Sequence, residues 1–393
     1  MSGEMSSGDM SSGALRAPDS LGDGTRVTRS GTTRPAPGRP LHPGPVFAAP
    51  FHLGDAEPGA GGADVYSRYD NPTIREFESS LGDLDGGRSL AFASGMAALT
   101  AVFYGCISSG QRLLIPSDGY FTERLLAQNH LQRFGLETAT VPTTEIESRL
   151  RGGEFAGTRL ILVETPSNPS LDVCDIAAIA ELAHRQGALL AVDNTTATPL
   201  GQRPLSLGAD LVVASDTKAL TGHSDLLMGH VSVVDEALFA GLKSWRDLTG
   251  SIPGPFETWL AHRSLATLDL RLARQAENAA ALSEVLAGAE QVKQVRWPWR
   301  AGDRSYEVAQ RQMLRPMGVL SASFGSAQAV RDLLGASQLI TAATSFGGLH
   351  TTLDRRAQFG DDVGAGFVRI SCGCEDTLDL VRDVQSALRA VAH

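Results

Sequence analysis

Between about residue 87 and residue 218, short apolar runs alternate with amphipathic segments. RLLIPSD (112–118), RLILVET (159–165), ALLAVDN (188–194) and DLVVASD (210–216) are nearly continuous in their apolar positions. Strands covered on both faces read this way, because every side chain meets a packed layer. The intervening segments have helical spacing. TERLLAQNHLQRFG (122–135) predicts one helix ending at Gly135. LETATVP follows, and then a helix over EIESRLRGG. DIAAIAELAHRQG (175–187) places Ile176, Ile179, Leu182 and Ala183 on one face, with Gly187 at its stop. Repeated strand–helix–strand units of this length predict an α/β fold with a mainly parallel sheet and right-handed crossovers.

After about residue 252 the pattern changes. PFETWLAHRSLATLDLRLARQAENAAALSEVLAG predicts a long helix, broken near Ser264. Strands over GVLSASF and FVRISCG and helices over AQAVRDLLG and EDTLDLVRDVQSALRAVA follow, so a smaller α+β domain is expected over 253–393. Segment 299–312 is polar and carries no assignable pattern. At the other end, residues 1–24 are rich in Ser and Gly with repeated acids and predict a disordered tail. Residues 25–62 are rich in Pro and Gly and predict an extended arm with few regular elements, of the kind that lies across a neighbouring subunit. The large domain is then expected over 63–252.

Composition narrows the function. A length of 393 residues suits two domains at roughly 100–200 residues each. The formal net charge of −10 argues against a nucleic-acid surface. No apolar run reaches the ~20 residues of a membrane helix, and no secretory leader stands at the N-terminus. Four cysteines make no disulfide framework, which fits a reducing cytoplasm. Cys372 and Cys374 fall in an apparent strand, where alternation would set both thiols on one packed face. The nine histidines show no metal spacing, so no metal is expected.

In an open parallel sheet, ligands gather beyond the C-terminal strand ends. RLILVET ends at Glu164 and runs on to Asn168, ALLAVDN ends at Asp193, and DLVVASDTK ends at Ser215, Thr217 and Lys218. Taken singly, an Asp at a strand end is usually a turn residue and a Lys is usually solvated. Here an acid, an amide, hydroxyls and an amine arrive at one edge. Upstream, AFASGMAALTAVFYG reads as a strand, a short Ser94-Gly95-Met96 loop and a helix, whose first N–H groups and dipole can hold a phosphate. A plain N-cap explains that loop equally well when it stands alone. An imine-forming amine, an acid for a pyridine nitrogen and a phosphate cradle together describe pyridoxal 5′-phosphate (PLP).

The same residues resemble the Cys/Met-metabolism family of PLP enzymes, whose members include cystathionine gamma-lyase and cystathionine gamma-synthase. The resemblance runs from about residue 40 to the C-terminus. It rests on YSRYDNPT (66–73), SGMAA (94–98), SDGYFTER (117–124), ETPSNP (164–169), VDNTTATP (192–199), SDTKALTGHSD (215–225) and VRISCGCED (368–376). It implies the aspartate-aminotransferase-like fold type I of PLP-dependent transferases. By that resemblance Lys218 is the Schiff-base lysine and Asp193 pairs the pyridinium nitrogen. Gly95, Met96, Ser215 and Thr217 hold the phosphate, and Tyr120 stacks on the ring and moves protons. Asn168 lies by the ring hydroxyl and the substrate, Arg369 grips the substrate α-carboxylate, and Ser345 lies by the Lys218 amine. Tyr66 and Arg68 reach the phosphate of a neighbouring subunit, which implies a homotetramer built from dimers with shared sites.

Three stretches depart from the family pattern. One residue is missing around Tyr120-Phe121-Thr122, His350 stands where many members place a Glu, and Ala214 and Ala219 stand where the family's His-Ser-x-Thr-Lys-Tyr has His and Tyr. The cofactor core is intact and the distal pocket is altered. The resemblance therefore implies γ-elimination on a γ-substituted L-amino acid, with L-cystathionine giving cysteine, 2-oxobutanoate and ammonia. The alternatives are γ-replacement on an O-acylhomoserine, or elimination of a thioether, ester or halide. A non-catalytic PLP-binding regulator would want a partner module, and the first 24 residues are too short and too acidic for one.

Overall fold

The computed structural model describes residues 21–30, 36–53 and 64–391. Helix α1 (Asp23–Arg29) is followed by α2 (Pro72–Asp85), β1 (Arg88–Phe92), α3 (Gly95–Cys106), β2 (Arg112–Pro116), α4 (Phe121–Asn129), β3 (Glu137–Val141), α5 (Ile146–Arg151) and β4 (Thr158–Glu164). Next come α6 (Ile176–Arg185), β5 (Leu189–Asp193), α7 (Thr198–Gly201), β6 (Leu211–Ala214), β7 (Gly229–Val233), α8 (Glu236–Thr249), α9 (Pro255–Leu265) and α10 (Leu268–Ala287). The C-terminal part holds β8 (Val292–Arg296), α11 (Tyr306–Gln312), β9 (Val319–Phe324), α12 (Ala327–Ala336), β10 (Thr341–Ala342), β11 (Thr352–Arg355), β12 (Phe367–Ser371) and α13 (Thr377–Leu388).

Seven strands form the large sheet in the order β1-β7-β6-β5-β4-β2-β3. All its pairings are parallel except those of β7, which runs antiparallel to both β1 and β6. The predicted parallel strands are therefore present, and their buried runs have the predicted cause. Leu160, Leu162 and Ala191 meet α3 on one face, whereas Ile161, Val163, Leu190 and Val192 meet α5 and α6 on the other. A five-stranded, mainly antiparallel sheet, β10-β11-β12-β9-β8, follows. Helix α10 ties the two layers together. Its Leu268 and Leu272 pack with α2 and α9, and its Ala279, Leu282 and Leu286 pack under the second sheet with α12 and α13.

Local chemistry sets the helix ends. Asn71, Ser94, Asp175, Asp235, Ser326 and Asp376 each accept a backbone N–H at the first turn of the helix that follows. Gly187 has φ +73° just beyond α6, as its position predicts. Several expectations need correction. The helix expected over 122–135 stops at Asn129. His130 leaves helical geometry (φ −126°), and a 3₁₀ turn, Leu131–Phe134, carries the chain to Gly135. The break expected near Ser264 in the long C-terminal helix is present, at Ala266–Thr267. Segment 299–312 contains α11, anchored by Gln312, which donates to the Cys174 carbonyl and accepts from the Ile176 N–H. Cys372 and Cys374 lie beyond β12 rather than within it, so only Cys372 is buried.

The expected tail falls, up to residue 20, outside the described residues. The arm is less extended than its composition predicts. Residues 23–29 form α1, whose Val27 is buried against α2 and α10. Asp23 pairs with Arg203 at 2.7 Å. Among the described residues, no helix is long and apolar enough to cross a membrane.

Candidate active site

The register of the large sheet brings the predicted residues together. Glu164 and Asp193 are paired neighbours at the ends of β4 and β5, and Asp193 pairs in turn with Val213 of β6. Just past β6, Ser215, Thr217 and Lys218 turn over the same edge. Across this edge lies a cavity of about 410 Å³. Its wall includes Gly95, Met96, Tyr120, Asn168, Asp193, Ser215, Thr217, Lys218, Ser345 and Arg369. Ten residues singled out in the sequence thus share one space. Tyr66 and Arg68 do not line it. They sit at the arm, where the Arg68 guanidinium lies 4.3 Å from the Tyr69 ring centre and donates to the Asp247 carbonyl at 2.6 Å.

Lys218 is the amine of this cavity. The chain has only three lysines. The Lys243 ammonium is held by Asp247 at 2.6 Å and by the Tyr69 carbonyl at 2.8 Å, and Lys293 is exposed on β8. The Lys218 amine has no hydrogen-bond partner among the described residues and stands 5.8 Å from the Phe346 ring centre. Burial lowers its pKa and the Arg369 charge lowers it further, while Asp193 opposes both. A larger share of it is therefore the neutral, nucleophilic amine.

Asp193 is oriented by the Thr195 N–H, which donates to its Oδ1 at 2.9 Å. Burial raises its pKa, and the Thr195 hydrogen bonds, Lys218 and His230 act against that rise. A cationic ring nitrogen set against this carboxylate would hold it ionised. The phosphate end is formed by α3. Ser94 caps it by accepting the Ala97 N–H at 3.1 Å, which leaves the N–H groups of Gly95 and Met96 without intrahelical acceptors. Gly95 is required by contact, since a Cβ there would stand 2.6 Å from the Ser215 Cβ. The Thr217 hydroxyl, expected at the phosphate, is engaged at 3.0–3.1 Å by both the N–H and the carbonyl of Met228. Ser215 Oγ is the hydroxyl left open. An unpartnered amine, an acid for a ring cation and free N–H groups for a dianion fit PLP.

On the far wall, Arg369 is 3% exposed. It donates to Asn168 Oδ1 at 2.6 Å, the Ser345 carbonyl at 3.0 Å and Asp354 Oδ2 at 2.8 Å. Its Nε–H has no partner. Burial pulls its pKa down to about 10, against the pull of Asp354. Ser345 holds φ +77°, which turns its carbonyl toward the guanidinium. A larger outer basin of about 1020 Å³ shares Lys218, Ser345 and Phe346 with the inner cavity and reaches Glu257 and His350. His350 is exposed in that basin, whereas Phe121 lines the inner cavity.

Two groups were missed by sequence reasoning. Glu123 lines the inner cavity at 1% exposure, and neither carboxyl oxygen has a partner. Burial and the neighbouring Asp193 push its pKa well up, which favours its neutral form. Glu164 is raised for the same reasons and accepts the Tyr120 N–H at 2.8 Å. The second group is His230, buried on β7 between Asp85 and Asp216. The sequence carried no signal for it, because Asp216 fills a variable position of the lysine motif and Asp85 lies far along the chain.

Known proteins share this chain's family and fold. The family profile described as Cys/Met metabolism PLP-dependent enzyme matches residues 48–389. The chain is 44% identical to a Streptomyces coelicolor protein named "Putative cystathionine gamma-lyase", over 99% of each chain. It is 36% identical to L-methionine gamma-lyase of Pseudomonas putida, over 85% of this chain and 87% of that one. The crystal structure of cystathionine gamma synthase from Xanthomonas oryzae pv. oryzae, in complex with aminoacrylate and cysteine, superposes with a TM-score of 0.88 at 31% identity, covering 94% of this chain and 98% of that one. With its fold type I architecture and its cavity built for PLP, the chain belongs to the Cys/Met-metabolism family of PLP-dependent enzymes.

Proposed function

We propose that the protein is a γ-lyase that cleaves L-cystathionine with one water to cysteine, 2-oxobutanoate and ammonia. The observation that carries this reading is the Lys218 amine. Among the described residues it is the only lysine nitrogen at the cavity and has no partner, and it shares that cavity with Asp193, Tyr120 and Arg369. The likeness to the Streptomyces coelicolor protein favours a lyase over a transferase.

PLP, when bound, supplies an aldehyde that joins to amines and a ring that draws electrons from the substrate α-carbon. Asp193 keeps the ring nitrogen protonated. The N–H groups of Gly95 and Met96, with Ser215 Oγ, hold the phosphate. Lys218 would be the residue that holds the cofactor through its aldehyde carbon, and with substrate bound its free Nζ would take the α-proton, a task its lowered basicity suits. Arg369 and Asn168 hold the α-carboxylate so that the α-proton faces Lys218. Lys218 Nζ, having passed that proton on, would then take a β-proton, the electron pair of that C–H bond would expel the γ-sulfur, and Tyr120 Oη would give the sulfur a proton. Because Tyr66 and Arg68 lie outside their own chain's cavity, a second copy supplies them, within a homotetramer. All four cysteines are free thiols, which suits a cytoplasmic enzyme.

An assay of 2-oxo acid release tests the reading. L-cystathionine, L-methionine and an O-acylhomoserine are compared, each with and without added cysteine. Release from L-cystathionine alone is expected. Turnover only of the O-acylhomoserine, and only with cysteine, would replace the lyase by a transferase.

A further inference from the structure

A buried ionic cluster under the cofactor-binding turn has no part in the chemistry above. His230 is fully buried on β7. Its Nδ1 lies 2.6 Å from Asp216 Oδ1, and its Nε2 lies 2.9 Å from Asp85 Oδ2. Ser232 Oγ donates to the same Asp85 oxygen at 2.6 Å and lies 2.6 Å from Ser89 Oγ. Both ring nitrogens face carboxylates, so both carry protons and the ring is a cation. We propose that the Asp85–His230–Asp216 cluster is a positioning device that locks the turn carrying Ser215, Thr217 and Lys218 in its cofactor-binding geometry.

Its placement supports that role. Asp216 lies between the two hydroxyl residues of the turn and two positions before Lys218. Its carbonyl accepts from the Thr221 N–H at 3.1 Å and the Thr221 hydroxyl at 2.8 Å, so side chain and main chain are both fixed. His230 pairs in register with Ala214 on one side and Ala91 on the other. Those two strands lead into the Lys218 turn and into the Gly95 loop, the two halves of the phosphate cradle. Asp85 is the last residue of α2, where the helix dipole disfavours an acid. Its position is therefore explained by His230 and not by its own helix.

The cluster is a poor choice for stability alone. Asp85 Oδ1 and Asp216 Oδ2 have no partners, and a buried network left partly satisfied is worse than an apolar one of the same volume. What it supplies is a single geometry. Charged hydrogen bonds of fixed length hold the turn where packing among small residues would let it shift.

The inference rests on the reading of Lys218 as the cofactor lysine. Its test compares wild type with Asp216→Asn, Asp216→Ala and, as a stability control, Leu282→Ala under the second sheet. Thermal midpoint, PLP dissociation constant and rate of PLP uptake by the apo form are measured for each. Asp216→Ala is expected to weaken PLP binding roughly tenfold or more, as loss of a charged hydrogen bond implies. Asp216→Asn, which keeps the hydrogen bond, recovers most of that loss. Leu282→Ala lowers the thermal midpoint and leaves PLP binding unchanged. If Asp216→Ala does not fold, Ser232→Ala, which removes a hydrogen bond to Asp85, is measured in its place, and PLP uptake slower than in wild type and in Asp216→Asn is then required. Unchanged binding and uptake in the Asp216 variants, or changes that only follow the thermal midpoint, overturn the inference while the Lys218 reading stands. A wild-type chain that takes up no PLP overturns both.

Discussion

The Arg369 guanidinium donates to Asn168 Oδ1 at 2.6 Å, joining the second sheet to the loop after β4. The same guanidinium lines the cavity, and its buried Nε–H has no partner among the described residues. Its fork is thus already oriented before a carboxylate arrives, which lowers the ordering cost of binding. Arg369→Lys is expected to lose the paired geometry. Loss of a charged hydrogen bond of about 1.5–3 kcal/mol should raise the substrate KM roughly ten- to hundredfold. Steady-state kinetics check this, and an α-amide substrate should lose its discrimination against the variant.

Glu123 offers a pH-dependent readout. Its folded-state pKa lies well above its ordinary value of 4.5. The folded chain then holds a proton that the unfolded chain releases above that value, so burying this acid costs stability increasingly as pH rises from 4.5. Glu123→Gln removes the dependence without changing the shape. The variant should be more stable than wild type at neutral pH, and the gap should close below pH 4.5. Denaturant melts across that range test it.

The arm predicts complementation. Chains bearing Lys218→Ala and chains bearing Arg68→Ala should each be inactive or nearly so. Refolded together, mixed dimers would hold one site with neither lesion. Random mixing should restore about a quarter of the wild-type activity. No recovery would place Arg68 at its own chain's site.

The parallel strands were legible because burial on both faces leaves a local mark, a short continuous apolar run. The residues at their ends could be read for the same reason, since Asp193 and Lys218 directly follow such runs. Strand β7 left no such mark. GHVSV is interrupted by a histidine and by one hydrogen-bonded serine, Ser232, and its meaning depends on partners far along the chain. Glu123 also hid in a plausible local role, because an acid in the first turn of a helix is ordinary. Only the packed structure shows that its carboxyl is buried without a partner in the cavity wall. The arm was misread where it forms α1, because the contacts that stabilise that short helix come from α2 and α10.

The most direct measurement concerns the covalent attachment of the cofactor. The PLP-loaded protein is reduced with borohydride and digested, and the modified lysine is located by mass. With three lysines in the chain, the outcome is unambiguous. Modification at Lys218, with loss of visible absorption in Lys218→Ala, is the predicted result. Modification at Lys243 or Lys293, or a Lys218→Ala protein that keeps its colour and turnover, would contradict it.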